Sequence, residues 1–369
     1  MSNMKIAKHH EPLIRISKRD AIPMWKSWLI RIISLSFALI VCSAVVILLT
    51  GYNPMQVFES MTDGSFGSPR KVLILLQGVA MLLCISLAVT PAFKMRFWNI
   101  GAEGQVLIGG LASAACMFYV GDKLPNTVLI LLMAVTSIVC GIVWSVIPAY
   151  FKAKWKTNET LFTLMMNYVA MQVVSFAINI WVPNGSNVMG IINLSTKSGW
   201  LPDIAGKKYI LNVIIVAVLT IIMFFYLKYS KHGYEISVVG ESENTARYIG
   251  INVKKIILRT TALSGAICGI AGFLIVAGAD HTISKETAGG MGFTAIMVAW
   301  LAKFNPIVMV LTSFIIVFLQ RGSGEIATDF RLNESIADIL TGIILFFIIG
   351  CEFFVNYKVN IRSIHKEDK

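Results

Sequence analysis

Ten long apolar runs, separated by short polar joints, constrain this chain more than any other feature of its sequence. They lie near 32–50, 72–93, 99–120, 126–151, 161–182, 209–227, 260–278, 291–302, 305–320 and 337–356. A helix crosses a hydrocarbon core of about 30 Å with roughly 20 apolar residues. Most of these runs reach or approach that length, so the bilayer is the expected solvent. Composition agrees: 56% of the 369 residues are hydrophobic and only 14% charged, against about 25% charged in an ordinary soluble domain. The expected fold is therefore all-α and polytopic, with about ten transmembrane helices. The count of ten depends on two places: 94–105, where the gap between runs is short, and 291–320, where only Lys303, Phe304 and Asn305-Pro306 separate two segments and proline breaks the helix.

The formal charge of +12 does not mark a nucleic-acid partner, because the basic residues sit in the joints between runs. With the N-terminus inside, 23 of the 32 Lys and Arg fall on one side and 9 on the other. Cytoplasmic loops retain positive charge, so both termini are expected in the cytoplasm. This gives a basic N-terminal segment at 1–31, a membrane domain at 32–356 and a tail at 357–369. The polar, basic first 27 residues are too long for the n-region of a signal peptide, and the first apolar run reads as a retained helix. Cys42, Cys84, Cys116, Cys140, Cys268 and Cys351 lie in or beside apolar runs without metal spacing, and read as polarizable packing residues.

Two connections are long. Residues 183–208 are rich in Gly, Ser, Asn and Pro and fall outside, where a loop serves equally as a connection or as a contact for an extracytoplasmic partner. Residues 228–258 fall inside. There Ser242 can cap a short helix at about 243–249, and Gly250 suits the left-handed residue that ends it. Such a helix is too short to stand without a surface to pack on. It would present Ala246, Arg247, Tyr248 and Ile249 to a cytoplasmic partner domain or lie against the protein's own inner face.

The stretch WNIGAEGQVLIGG at 98–110 puts Asn99, Glu103 and Gln105 among glycines that weaken a continuous helix. Irregular backbone at membrane depth must be buried in protein or line a cavity, and an intramembrane carboxylate is costly unless paired, protonated or wet. Two readings of Glu103 stand open: a group on the solute path, or one that only satisfies a broken helix near the inner surface, seven residues after Arg96. A second Gly-rich stretch, SKETAGGMGFTAIMVAWLAK at 284–303, occupies a corresponding place in the second half. Interrupted helices in two related halves point to a pathway between them. Asn167, in an apolar helix, can bond a neighbouring helix or a polar solute. Trp181, Trp200 and Tyr209 fall near the expected interfaces and read as an aromatic belt.

GESENTARYIGINVKK at 240–255, followed by ALSGAICGIAGFL, resembles the coupling loop and next helix of the permease family of nucleoside and simple-sugar ABC importers. WNIGAEGQ is similar to that family's Phe-Asn-Ile-Gly-Ala-Glu-Gly-Gln motif with Trp98 in place of Phe, and NETLFTLMMNYVA at 158–170 resembles a third family segment. The matches run in the family's order and cover most of residues 70–355. The resemblance implies a permease subunit in the bacterial inner membrane, with Trp98, Asn99, Glu103, Gln105 and Asn167 on the substrate pathway. It implies that Glu241, Asn244, Ala246, Arg247 and Tyr248 contact a cytoplasmic ATP-binding subunit. A second permease chain and an extracytoplasmic solute-binding protein would complete the assembly. The family often has an acidic residue where this chain has Thr294.

No G-x-x-x-x-G-K-[ST] phosphate loop occurs in the sequence. The chain is therefore expected to bind no cofactor itself, with ATP hydrolysed on partner subunits. Nor does it contain H-E-x-x-H or G-x-S-x-G, so it is not expected to be an enzyme. An ion-coupled secondary transporter is the alternative, but such proteins normally bury several ionisable groups. Here only Glu103 stands well inside an apolar run, with Glu159, Asp338 and Glu352 at run ends.

Overall fold

The computed structural model describes residues 14–19, 23–182, 189–204, 206–331 and 334–361. Most of the basic N-terminal segment, residues 183–188 of the long loop and the end of the C-terminal tail lie outside them. In chain order the elements are β1 (Ile14–Lys18), α1 (Met24–Thr50), α2 (Pro54–Phe66), α3 (Pro69–Lys94), α4 (Ala102–Val120), α5 (Asn126–Trp155) and α6 (Glu159–Trp181). Then come α7 (Ile210–Tyr229), α8 (Lys231–Glu241), α9 (Glu243–Tyr248), α10 (Val253–Ile275) with a π-helical turn at Val276–Asp280, and α11 (Met291–Leu301). The chain closes with α12 (Pro306–Asp329), α13 (Glu334–Asn356) and β2 (Tyr357–Ile361). Eight helices among the described residues are long and apolar enough to cross a membrane.

Each of the ten apolar runs corresponds to a helix, but their bounds differ. The first starts at Met24 instead of 32, because Lys26 and Arg31 can extend their charged ends toward water from a helix at the bilayer edge. The run at 291–302 holds a helix of only 11 residues, about 16 Å long, which is half a crossing. Two short helices, α2 and α8, were not visible as apolar runs, since their compositions are mixed.

The helices form two compact units, residues 65–321 and residues 1–64 with 322–369. In the second, β1 pairs antiparallel with β2, Ile16 opposite Val359, so the segments flanking α1 and α13 lie together. In the first, α3 and α10 are central: 72% of the most apolar window of α3 is covered by protein, against 22% for α5. The uncovered parts of α5, α6 and α7 still carry Leu131, Phe176 and Ile221. Helices apolar on both covered and open faces belong in lipid.

Small residues draw α4, α5 and α10 together. A Cβ on Gly269 of α10 would lie 2.3 Å from the Ser137 carbonyl oxygen of α5, and one on Gly265 would lie 2.3 Å from the Gly141 carbonyl. This Gly-xxx-Gly spacing permits backbone contact where lipid supplies no hydrophobic drive between helices. Hydroxyls reinforce it: Ser145 donates to the Thr261 carbonyl at 2.9 Å and Ser137 to that of Gly109 at 2.8 Å.

Candidate functional site

Two interrupted helices meet inside the first unit. After α3 the chain runs non-helically through residues 95–101 before α4 begins, and after the π-turn it runs non-helically through 281–290 before α11 begins. Asn99 Nδ2 donates to Ser264 Oγ at 3.2 Å. Ser264 stands near the middle of the 28-residue helical rod Val253–Asp280, so Asn99 lies well along that rod, while Met95 and Phe97 at the start of the break pack with Val253 and Ala246. The sequence had left room for Glu103 near one surface, close to Arg96. The non-helical return of residues 95–101 instead carries it into the bundle.

Glu103, 3% exposed, binds the start of α11. Its Oε1 accepts the Gly290 N–H at 2.8 Å and its Oε2 the Gly292 N–H at 2.7 Å. First-turn amides of a helix lack intrahelical partners, and the positive end of the helix dipole favours an anion. One carboxylate on α4 thus closes the open first turn of the short helix α11. Gly292 is needed for the approach, since a Cβ there would lie 2.5 Å from the Glu103 backbone nitrogen. Thr294 turns its hydroxyl back to the Gly290 carbonyl at 3.2 Å.

The amides of the sequence-expected pathway are equally engaged. Asn99 Oδ1 accepts from the Gly101 N–H at 3.1 Å and from Gln105 Nε2 at 3.2 Å. Asn167 accepts the Gly104 N–H at 2.9 Å and donates to the Ile100 carbonyl at 2.9 Å, fixing α6 against the start of α4. All three side chains are buried, and Gln105 Oε1 alone among their polar atoms is a buried atom without a partner. Trp98 differs: it is 46% exposed and packs beside Trp300 at 5.8 Å between ring centroids, with Phe93 touching both. Trp300 and Phe93 are members of this group that the sequence reading did not single out, because their α11 and α3 neighbours are set only by the fold.

Below this centre α8 and α9 form an elbow. Ser230 Oγ accepts the Gly233 N–H at 2.9 Å to start α8, and Ser242 Oγ accepts the Thr245 N–H at 3.2 Å to start α9. Gly250 follows in the left-handed region at φ +87°. The expected short helix is therefore present. Ala246, expected to face a partner, is instead fully buried against Met95, Phe97, Ile236 and Val253, because a six-residue helix needs its small face on the ends of α3, α8 and α10. Glu241, Asn244, Arg247 and Tyr248 remain exposed, Tyr248 at 92%. Arg247 pairs with Glu243 at 3.1 Å. His232, buried in α8, bonds Tyr226 of α7 through Nδ1 and Thr260 of α10 through Nε2. Burial, then Arg259, lowers its pKa below the ordinary value, with Glu235 opposing.

The family described as branched-chain amino acid transport system / permease component matches residues 72–349. Over 359 residues the chain is 25% identical to the glucose ABC transporter permease protein TsgB13 of Haloferax volcanii, covering 94% of each. It is 28% identical to the guanosine ABC transporter permease protein NupP of Bacillus subtilis, covering 83% of this chain and 88% of the relative. It is 26% identical to the nucleoside ABC transporter permease protein NupB of Lactococcus lactis, covering 87% and 90%.

Proposed function

Since the chain belongs to the branched-chain amino acid transport system / permease component family and is the multi-pass membrane permease of an ABC importer, we propose that its solute is a nucleoside. Support for the solute class comes from the guanosine and nucleoside permeases, each aligned over more than four fifths of this chain. The site is compatible with it: the open indoles of Trp98 and Trp300 offer flat faces to a base, and base–aromatic stacking contributes about 1–3 kcal/mol. A simple sugar is the second reading, favoured by the glucose permease that aligns over 94% of the chain.

The pathway runs beside the paired helix starts at Glu103, which acts as the pin that holds α11 to α4. Asn99, Gln105 and Asn167 hold the broken backbone around it, and Trp98 faces the solute. The excess of Lys and Arg on one side of the apolar runs supports a reading in which the termini and the α8–α9 elbow face the cytoplasm of a bacterial cell. A second permease chain completes the pathway, and an extracytoplasmic binding protein delivers the solute. One of two ATP-binding subunits takes the exposed Tyr248 face of this chain's α9. Burial of Ala246 makes α9 rigid with the ends of α3 and α10, so movement of the ATPase would reach the helices that carry the central break.

The test is ATP hydrolysis by the complex reconstituted with its binding protein, measured with guanosine, uridine, ribose and glucose. Nucleosides should stimulate it and compete for uptake. Stimulation by glucose alone would move the assignment to the sugar reading.

A further inference from the structure

The end of the bundle remote from α9 carries a cavity of about 220 Å³ that the transport reading does not use. Trp200 and Tyr209 read in the sequence as interfacial belt residues; the fold instead makes them walls of this cavity, together with Lys197, Asp203, Lys208 and His281. The walls are held firmly. Leu201 donates its N–H to the Ala277 carbonyl at 2.9 Å, Ile192 to that of His281 at 2.8 Å, and Trp200 Nε1 to that of Ile192 at 3.0 Å. The Trp200 and His281 rings stack at 3.7 Å between centroids. The loop at 189–204 is thereby fastened onto the π-turn that ends α10.

Three wall residues, Lys197, Tyr209 and His281, hold positive φ of +53°, +71° and +52° without being glycine. Such strain persists where surroundings enforce it and concentrates at ligand sites, as do π-turns. The polar groups are open. Among the described residues neither lysine nor Asp203 forms an ion pair, and His281 Nδ1 is buried without a partner. The first turn of α7, which has no side-chain cap, lines the cavity through Leu211 and Asn212 and turns its positive end to it.

We propose that this cavity is a binding site for a small organic oxyanion of single-ring size, gripped by Lys197 and Lys208 and seated on Trp200, Tyr209 and Leu211. Two cations against one carboxylate set the sign of the ligand. Its size follows from the volume, which equals that of about seven waters in the liquid and falls below the roughly 300 Å³ at which drug-sized pockets begin. Trp200, Leu201, Pro202 and Leu211 supply an apolar wall, which a bare inorganic ion would leave unused. Its lining shares no residue with the group around Glu103, and its occupancy would tie the loop to the end of α10 that is remote from α9.

The experiment uses the full chain in nanodiscs with benzoate as probe and benzyl alcohol as its uncharged counterpart, binding being read by calorimetry. Benzoate should bind saturably, and benzyl alcohol at least tenfold more weakly. Lys197→Gln and Lys208→Gln, both at exposed positions that leave packing intact, should each weaken benzoate roughly tenfold, the size of one charge-assisted hydrogen bond, and the double variant should abolish binding. The benzoate-induced change in tryptophan fluorescence should vanish in Trp200→Phe. Equal binding of the two probes, no saturable benzoate binding, or affinity unchanged in both lysine variants would overturn the proposal.

Discussion

Glu103 Oε2 accepts the Gly292 N–H at 2.7 Å, so a side chain in the first turn of α4 closes the first turn of α11, 189 residues away in sequence. Its other oxygen takes the Gly290 N–H. The two interrupted segments therefore share one electrostatic joint. A helix of 11 residues is too short to cross a membrane alone, so its place rests on its packing against α3 and on this joint to α4.

Glu103→Gln keeps one acceptor but turns an amide N–H₂ toward a backbone donor. It should cost roughly 2 kcal/mol, the range for a hydrogen bond to a charged group, and it should uncouple α11 from α4. Thermal unfolding in detergent should shift downward while membrane insertion is retained, and uptake by the reconstituted complex should fall at least tenfold. An unchanged melting temperature with full uptake would show that the joint is dispensable.

Gly269→Ala puts a methyl group 2.3 Å from the Ser137 carbonyl oxygen, which is backbone and cannot move alone. Separation of α10 from α5 should follow, at a cost of about 1–3 kcal/mol. Differential scanning fluorimetry measures it. Gly342→Ala, where nothing lies within 4 Å of the added carbon, serves as the comparison and should leave the melting temperature nearly as it is.

The elbow separates packing from partner contact. Tyr248→Ala and Arg247→Glu alter exposed side chains and should change stability by no more than about 0.5 kcal/mol. Both should nevertheless reduce recovery of the ATP-binding subunit on affinity purification and abolish solute-stimulated hydrolysis. Ala246→Glu, by contrast, buries a carboxylate in an apolar cluster and should lower the yield of folded protein itself.

His232 supplies a pH dependence. Burial, followed by the nearby Arg259 charge, lowers its pKa from 6.5, while Glu235 pulls the other way. As pH falls the unfolded chain takes up this proton first, so the stabilisation is complete above pH 6.5 and is lost progressively below it. The melting temperature should drop between about pH 7.5 and about pH 5.5. In His232→Gln the baseline should be lower and this part of the drop should be absent, which a series of melts would detect.

The outline of this molecule was legible because lipid makes it so. Run length marked the positions of the ten helices, and Ser242 with Gly250 marked the start and stop of α9, since capping is a local matter of one side chain and one φ angle. Local patterns did not tell which distant element a side chain would meet. Glu103 follows Arg96 closely in sequence, yet the non-helical residues 95–101 carry it to a buried place against the start of α11. Ala246 looked available for a partner because six residues do not reveal which face a neighbouring α3 end will cover. Trp200 and Tyr209 carried only the general mark of interfacial aromatics, and the hydrogen bonds that fold their loop onto α10 join positions about 80 residues apart.

The sequence by itself determined that the chain lives in a membrane, which joints are basic, where ten of its helices lie, and where α9 is capped. These follow from transfer free energy and from hydrogen bonds within a turn, both summed over neighbouring residues. Only the tertiary structure decided that Glu103 caps a distant half-helix, that Ala246 is an anchor and Tyr248 a free face, and that two lysines, a tryptophan and a histidine enclose one cavity. Those relations depend on close backbone approach between α4, α5 and α10 at Gly265 and Gly269, a long-range packing solution that no short window of residues encodes.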